Sequence, residues 1–229
     1  MTLLEMIQKE NAAAFTHGGK FHADDVFSAA LLLHFNPKLT IQRGNRVPEE
    51  FAGIVFDIGR GEYDHHQKDS RIRENGAPYA AFGLLWEELG TEILSPKMAE
   101  CFDEKFVQPL DNNDNTGEKN ELAGLIGMFN PVWDDNRGSD AAFFEAVTIA
   151  GRILEHKWER FRADERMEQQ FAELLSAHRE RIAAEEKTET MDEKILVLSE
   201  FFPCQKQLSA TEIAFLVFPS NRGGYCVQP

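Results

Sequence analysis

The sequence predicts an α/β protein: a parallel sheet in the N-terminal part, a long helical connection, and a smaller α/β unit at the C-terminal end. Three observations carry that expectation. Short runs rich in Ile, Val and Phe alternate with segments of helical period before residue 90, the order a right-handed parallel crossover requires. From Asp140 to about Glu186 one apolar stripe recurs at helical spacing. After residue 190 the apolar runs become short and strand-like again.

Ala12–Thr16 is the first apolar run, and it ends in the Gly18-Gly19 turn. Asp25–Phe35 follows as a helix, with Val26, Ala29, Ala30 and Leu33 on one face and acidic residues in its first turn; Pro37 stops it. Leu39–Arg43 and Ile54–Ile58 are the next strands, the second a buried run. Ligands of parallel sheets bind beyond the carboxyl ends of the strands. His17 follows the first strand and Asp57 ends the strand that holds Val55, so both stand where such ligands bind.

Pro78–Leu89 is a helix with Gly90 as its stop, and Lys97–Leu110 is another. In the long helical stretch, Phe143, Val147, Ala150, Leu154, Trp158 and Phe161 form a stripe that Met167, Phe171, Leu174, His178 and Ile182 continue. Core packing accounts for it, and His156 and His178 are structural. Lys194–Ser199, Glu212–Phe218 and Gly224–Gln228 are the strands of the last unit. The expected division is residues 1–190 and 191–229, with Ala183–Lys194 as the linker.

The 229 residues carry 39 acidic and 24 basic side chains, a formal net charge of −15. That balance disfavours nonspecific binding to nucleic acid or to an anionic membrane. It does not exclude a phosphate substrate, because two bound divalent cations would add about +4 and invert the local field. Cys101, Cys204 and Cys226 are too few and too far apart for a disulfide framework or a zinc cluster. The first residues lack the features of a signal or transit peptide, and no apolar run approaches the roughly 18 residues of a membrane span. The expectation is a soluble, cytoplasmic protein.

Four acid and histidine clusters lie in the first half. They are Thr16-His17-Gly18-Gly19-Lys20-Phe21-His22-Ala23-Asp24-Asp25, Phe56-Asp57-Ile58-Gly59, Tyr63-Asp64-His65-His66-Gln67 and Leu110-Asp111-Asn112-Asn113-Asp114-Asn115. Each alone has an ordinary reading as a turn, a cap or a solvated loop. Together they concentrate histidines beside carboxylates, and a buried carboxylate needs a partner or a metal to offset its desolvation. Mixed His/Asp ligands without thiolates suit Mn²⁺, Mg²⁺ or Fe²⁺ better than a structural zinc. An Asp at a strand tip can bridge two ions about 3.5–4 Å apart, the geometry of in-line phosphoryl displacement.

Asp64-His65-His66, preceded by a strand-end Asp and by a His/Asp turn, resembles the DHH phosphoesterase superfamily. Within it, THGGKFHADD, VFDIG with EYDHHQ, LDNNDN and FPSNRGGYCVQ resemble the melanocyte-proliferating-gene-one family from about Ala14 to the last residue. That family is described both as metal-dependent protein hydrolases and as 3′–5′ RNA exonucleases. The resemblance implies two divalent cations, Mn²⁺ or Mg²⁺, with His17 and His22 on one. Asp24, His65 and Asp111 would hold the other, Asp57 would bridge both, and His66 would face the substrate phosphate or the leaving oxygen. The superfamily usually has a carboxylate where His22 stands, one residue nearer His17, so Asp25 and Asp114 are the alternatives. Asn221-Arg222-Gly223-Gly224 resembles the superfamily's phosphate-gripping loop, Arg222 offering a planar fork beside Gly223 and Gly224; a hairpin turn is the other reading. The superfamily's C-terminal substrate domain would be incomplete here.

The function expected is therefore metal-dependent hydrolysis of phosphate esters, as a phosphodiesterase or 3′–5′ exoribonuclease. A small-molecule phosphatase and a metal- or nucleotide-binding regulator without turnover are the alternatives. Asp57 and His66 are the expected catalytic residues, and Lys20, Lys68, Arg71 and Arg73 are candidate phosphate contacts. RNA, an oligonucleotide or a small phosphorylated molecule is the expected substrate, with a second copy of the chain as a candidate partner and no membrane. The sequence has neither a His-Glu-x-x-His helix nor a nucleophile elbow, which argues against proteolysis.

Overall fold

A computed structural model describes residues 1–135, 138–184 and 191–229. Among them no helix is long and apolar enough to cross a membrane, and Cys101, Cys204 and Cys226 are all free thiols. The fold is α/β, as the sequence predicts, and it divides into two compact units, Met1–Phe161 and Arg162–Pro229.

After the short helix α1 (Leu3–Ile7), the first unit is built on three parallel strands, β1 (Ala13–His17), β2 (Thr40–Gly44) and β3 (Ile54–Val55), in the order β2-β1-β3. With β1 central, His17 and the residues just past β3 emerge at the same edge. The strand expected over Ile54–Ile58 is shorter because Asp57 turns left-handed, with φ of 54°. That region is sparsely populated for a residue with a side chain. Helix α2 (Ala23–Phe35) connects β1 to β2, and every residue from Ala23 to Leu32 is buried. Its run of Ala and Leu is apolar all round because α2 packs against α3 (Ala81–Leu89), α5 (Gln108–Thr116) and α6 (Glu121–Gly127). Phe21, Phe27, Phe82, Phe102 and Trp158 are completely buried in this core, each stabilising it by about 1.5–3 kcal/mol.

Two elements differ from expectation in ways that matter for the site. The helix predicted from Pro78 begins at Ala81, because residues 71–80 fold back as a loop in which Ile72 bridges Pro78 and the Tyr79 N–H donates to Arg71 O at 3.1 Å. The helix predicted over Lys97–Leu110 continues further: α4 (Pro96–Phe102) passes through a π-turn over Asp103–Val107 into α5. Pro109 is the second residue of α5, directly after the π-turn. Asp111 and Asp114 therefore lie inside a helix instead of at its end.

Helix α7 runs from Ser139 to Ala184; its expected end at Glu186 and the centre of the expected linker lie outside the described residues. The division between the two compact units falls within α7, at Phe161. The physical reason is that Phe171 and Leu175 of α7 share a core with Leu196, Leu198, Cys204, Ile213 and Leu216. Leu175 is buried there whereas Leu174, expected on the stripe, is exposed. His178 is buried with its Nε2 3.0 Å from the Glu193 carbonyl, a structural role, and His156 is on the surface. In this second unit β5 (Phe215–Pro219) pairs in parallel with β4 (Ile195–Val197) and antiparallel with β6 (Tyr225–Gln228).

Candidate metal centre

The turn between β1 and α2 is fixed from three directions. The Gly18 N–H donates to Gly44 O at 2.9 Å, Arg43 Nη2 donates to Gly19 O at 3.1 Å, and the Asn130 side chain bonds both the N–H and the carbonyl of Phe21. Gly19 takes a φ of 79° that suits glycine. This holds His17, at the end of β1, opposite the first turn of α2, where Asp24 and Asp25 are completely buried. Asp25 Oδ1 accepts the His22 N–H at 2.8 Å, and its Oδ2 lies 3.1 Å from His17 Nε2.

Asp57 stands at the centre of the cluster. Its Oδ2 is 3.1 Å from His17 Nε2, and its Oδ1 is 3.1 Å from His65 Nε2. The left-handed backbone is held by the Asp57 N–H, which donates to Tyr63 O at 2.9 Å; such conformations persist where the surroundings over-determine them. His65 Nε2 also lies 3.1 Å from Asp114 Oδ2 and 3.9 Å from Asp24 Oδ2. His22 is half exposed and meets Asp114 Oδ1 at 3.5 Å. His66 points differently: its Nδ1 lies 2.7 Å from Asp64 Oδ1 and its side chain is 59% exposed. Asp64 also accepts the Arg60 and His66 N–H groups, and these contacts with His66 overcome burial to hold its carboxyl below the usual range.

Among the described residues the ligand atoms form three tight groups, His17 with Asp25 and Asp57, His22 with Asp24 and Asp114, and Asp57 with His65 and His66. Electrostatically the cluster is a knot of carboxylates whose partners are imidazoles. Burial drives the Asp24 carboxyl well above the ordinary range, and the charges of Asp57 and Asp114 push it further. Neither Asp24 oxygen has a hydrogen-bond partner among the described residues. Burial would also raise Asp57, but His17 and His65 overcome it and bring the carboxyl down to about 2. Burial opposes the charged form of His17 and His65, yet the facing carboxylates raise both to about 10. The cluster thus calls for positive charge at its centre.

Of the residues expected to act together, the structure assembles His17, His22, Asp24, Asp57, His65 and His66. Asp111 is elsewhere. Its Oδ2 accepts from Arg73 Nη2 at 2.8 Å and its Oδ1 from the Gly83 N–H at 3.2 Å. Burial lifts its carboxyl to about 7 against the pull of Arg73. A Cβ at Gly83 would run into the Asp111 carboxylate and come within 2.6 Å of Arg73 Nη2. Asp114, one turn further along α5, takes the place beside His65. The cationic candidates are also accounted for: Arg73 is buried and forked onto Asp103 at 2.7–2.8 Å, and Arg71 pairs with Glu87. Lys20 and Lys68 are exposed. Arg222, Gly223 and Gly224 belong to the second unit, in the turn joining β5 to β6. There the Ser220 N–H donates to Gly224 O, and both glycines have positive φ.

A family model described as "Uncharacterised protein family (UPF0160)", the MYG1 family, matches residues 13–229. The chain belongs to the MYG1 family. The match opens at the first residue of β1 and so embraces every member of the cluster. A MYG1 protein of Caenorhabditis elegans is 25% identical over 59% of this chain and 52% of its own length. MYG1 proteins of Chlamydia trachomatis and Chlamydia muridarum are each 28% identical, over 64% and 65% of this chain and 54% and 55% of their own lengths. The chain thus spans about half the length of these curated MYG1 relatives. No solved structure matches it.

Sequence reasoning did not single out Asn115 or assign Asp64 a part. A helical phase through LDNNDN would have shown Asp111, Asp114 and Asn115 at i, i+3 and i+4, on one side of α5; a cap reading hid it.

Proposed function

We propose that this MYG1-family chain holds a pair of divalent cations, Mn²⁺ or Mg²⁺, and hydrolyses phosphate esters as a phosphodiesterase or 3′–5′ exoribonuclease of the DHH type. One observation carries the reading. The two oxygens of Asp57 face two different imidazoles, each at 3.1 Å, as a carboxylate bridging two cations does. The residues fit such a pair: His17, Asp25 and Asp57 would hold one ion, and Asp57, His65, Asp24 and Asp114 the other, with His22 at its rim. The buried, unpartnered Asp24 carboxylate supports the fit, because a divalent ion satisfies what no neighbouring donor does. Bound there, the cations would supply an activated water and offset charge on the phosphate oxygens.

The chain's own part is positioning and proton handling. Asp64 accepts from His66 Nδ1, which leaves Nε2 to hydrogen-bond a phosphate oxygen or protonate a leaving oxygen. Arg222 and the Gly223-Gly224 turn are the proposed phosphate contact of the second unit. A small phosphorylated molecule is the second reading, favoured because Arg71 and Arg73 are engaged by carboxylates and offer no basic track for a polynucleotide.

The test is hydrolysis in Mn²⁺ of RNA, dinucleotides, cyclic dinucleotides, pyrophosphate and a peptide, with Asp57→Asn as control. RNA or dinucleotide cleavage that Asp57→Asn abolishes, with the fold intact, is expected. Cleavage of the peptide alone, or full activity in Asp57→Asn, would overturn the proposal.

A further inference from the structure

The two nitrogens of His65 have different surroundings. Nε2 faces Asp57 and Asp114, each at 3.1 Å, while Nδ1 lies 3.2 Å from Asn115 Oδ1. Asn115 is itself held at its other end, for Nδ2 donates to Tyr79 O at 3.0 Å and to Asp111 O at 2.9 Å. Backbone carbonyls only accept, so the amide nitrogen must face them and the amide oxygen is turned to His65. That oxygen also only accepts, so the hydrogen between the two side chains belongs to Nδ1. A neutral ring with its hydrogen on Nδ1 has a bare Nε2, and the lone pair then points among carboxylates. Without metal a second proton on Nε2 answers those carboxylates; with Nδ1–H held by Asn115, Nε2 is the nitrogen that a divalent cation can take in place of that proton.

We propose that Asn115 is a positioning residue that fixes His65 in the Nδ1–H form and thereby presents Nε2 to a divalent cation. The inference rests on the metal reading above and adds a residue outside the ligand set. Its anchors explain why α5 continues through this segment. The helical spacing from Asp111 to Asn115 delivers one carbonyl, and the loop ahead of α3 delivers the other. Consecutive residues of α5 then grip one ring from its two ends, Asp114 at Nε2 and Asn115 at Nδ1. His17 obeys the same logic through the main chain. Its Nδ1 lies 3.1 Å from Gly18 O, which leaves Nε2 to Asp25 and Asp57.

Outer partners of ligating histidines change metal affinity by about 10–100-fold, which sets the expected effect. Nitrogen-15 NMR of the Zn²⁺-loaded protein, with His65 assigned by difference from His65→Gln, should place the hydrogen on Nδ1. Hydrogen on Nε2, or coordination through Nδ1, would overturn the inference whatever the variants do. Asn115→Leu keeps the bulk without the acceptor and should weaken Mn²⁺ binding about 10–100-fold by calorimetry at unchanged circular dichroism. Asn115→Asp, which restores an acceptor, should bind tightly again; binding as weak as that of Asn115→Leu would assign the loss to the carbonyl contacts and refute the role. If wild type takes up no Mn²⁺, the metal reading itself fails. If wild type binds two ions and Asn115→Leu binds both as tightly, Asn115 alone is refuted.

Discussion

Replacing Asp24 by Asn should invert the protein's response to metal. Asp24 is completely buried, and neither of its oxygens has a hydrogen-bond partner among the described residues. A buried polar group left unpaired costs about 1–3 kcal/mol, more when charged. Asparagine keeps the shape, cannot ionise, and brings amide hydrogens that neighbouring carboxylates can accept. The metal-free variant should therefore be more stable than wild type by about 1–3 kcal/mol. At roughly 2–4 °C per kcal/mol for a chain of this size, the rise in Tm is about 2–12 °C. With Mn²⁺ the order reverses. Wild type gains about 2.7 kcal/mol when the free ion stands at a hundred times its Kd, and the variant forfeits most of that gain with the ligand. Differential scanning calorimetry of both proteins in chelator and in Mn²⁺ measures all four states. A variant less stable than wild type in chelator, or one with an undiminished gain in Mn²⁺, would refute the reasoning.

Other substitutions separate ligands from supports. His66→Ala should lower turnover by about 10²–10⁴-fold with metal content near normal, whereas His65→Ala should lose metal; equal metal loss in both would mean that His66 is also a ligand. Arg73→Met leaves Asp111 and Asp103 without their partner in a buried site and should cost about 3–5 kcal/mol in chemical denaturation. Asp111→Asn should keep two ions per chain, and loss of an ion would return Asp111 to the ligand set. In chelator, His17 and His65 are raised from 6.5 to about 10 because the facing carboxylates outweigh burial. The stability they contribute is complete below pH 6.5 and lost as pH rises through about 10. Tm should fall across that window in chelator and stay level in saturating Mn²⁺, which replaces the protons; a level profile in chelator would contradict the assignment.

The parallel sheet was legible in the alternation of apolar runs, and the places of His17 after the first strand and Asp57 at a strand end were legible with it; that β1 lies between the other two strands was not. The different surroundings of Asp111 and Asp114 were not legible, because they depend on Arg73, 38 residues away from Asp111 in sequence and brought in by the loop ahead of α3. Nothing local to LDNNDN reports that one of its two aspartates faces a guanidinium. The π-turn that carries α4 into α5 was hidden for a related reason: Pro109 and the Asn run look like a helix end unless the helix is known to have restarted at Gln108. The division at Phe161 has no signal in the sequence, because α7 is continuous through it. Periodicity shows that a helix persists but not which core each turn joins.

Gly83 gives the cluster a tolerance set from outside it. No side chain fits between α3 and the Asp111 carboxylate, so the spacing of the two helices is that of a backbone against a carboxylate. A methyl group there would act as a wedge between α3 and the Asp111 carboxylate of α5. Asp114 and Asn115 ride on the same helix one turn away, so a displacement of a few tenths of an ångström would reach both ends of the His65 ring together. Helical propensity disfavours glycine in mid-helix by about 1 kcal/mol, and here that small local cost sets a distance on which both contacts of the His65 ring depend.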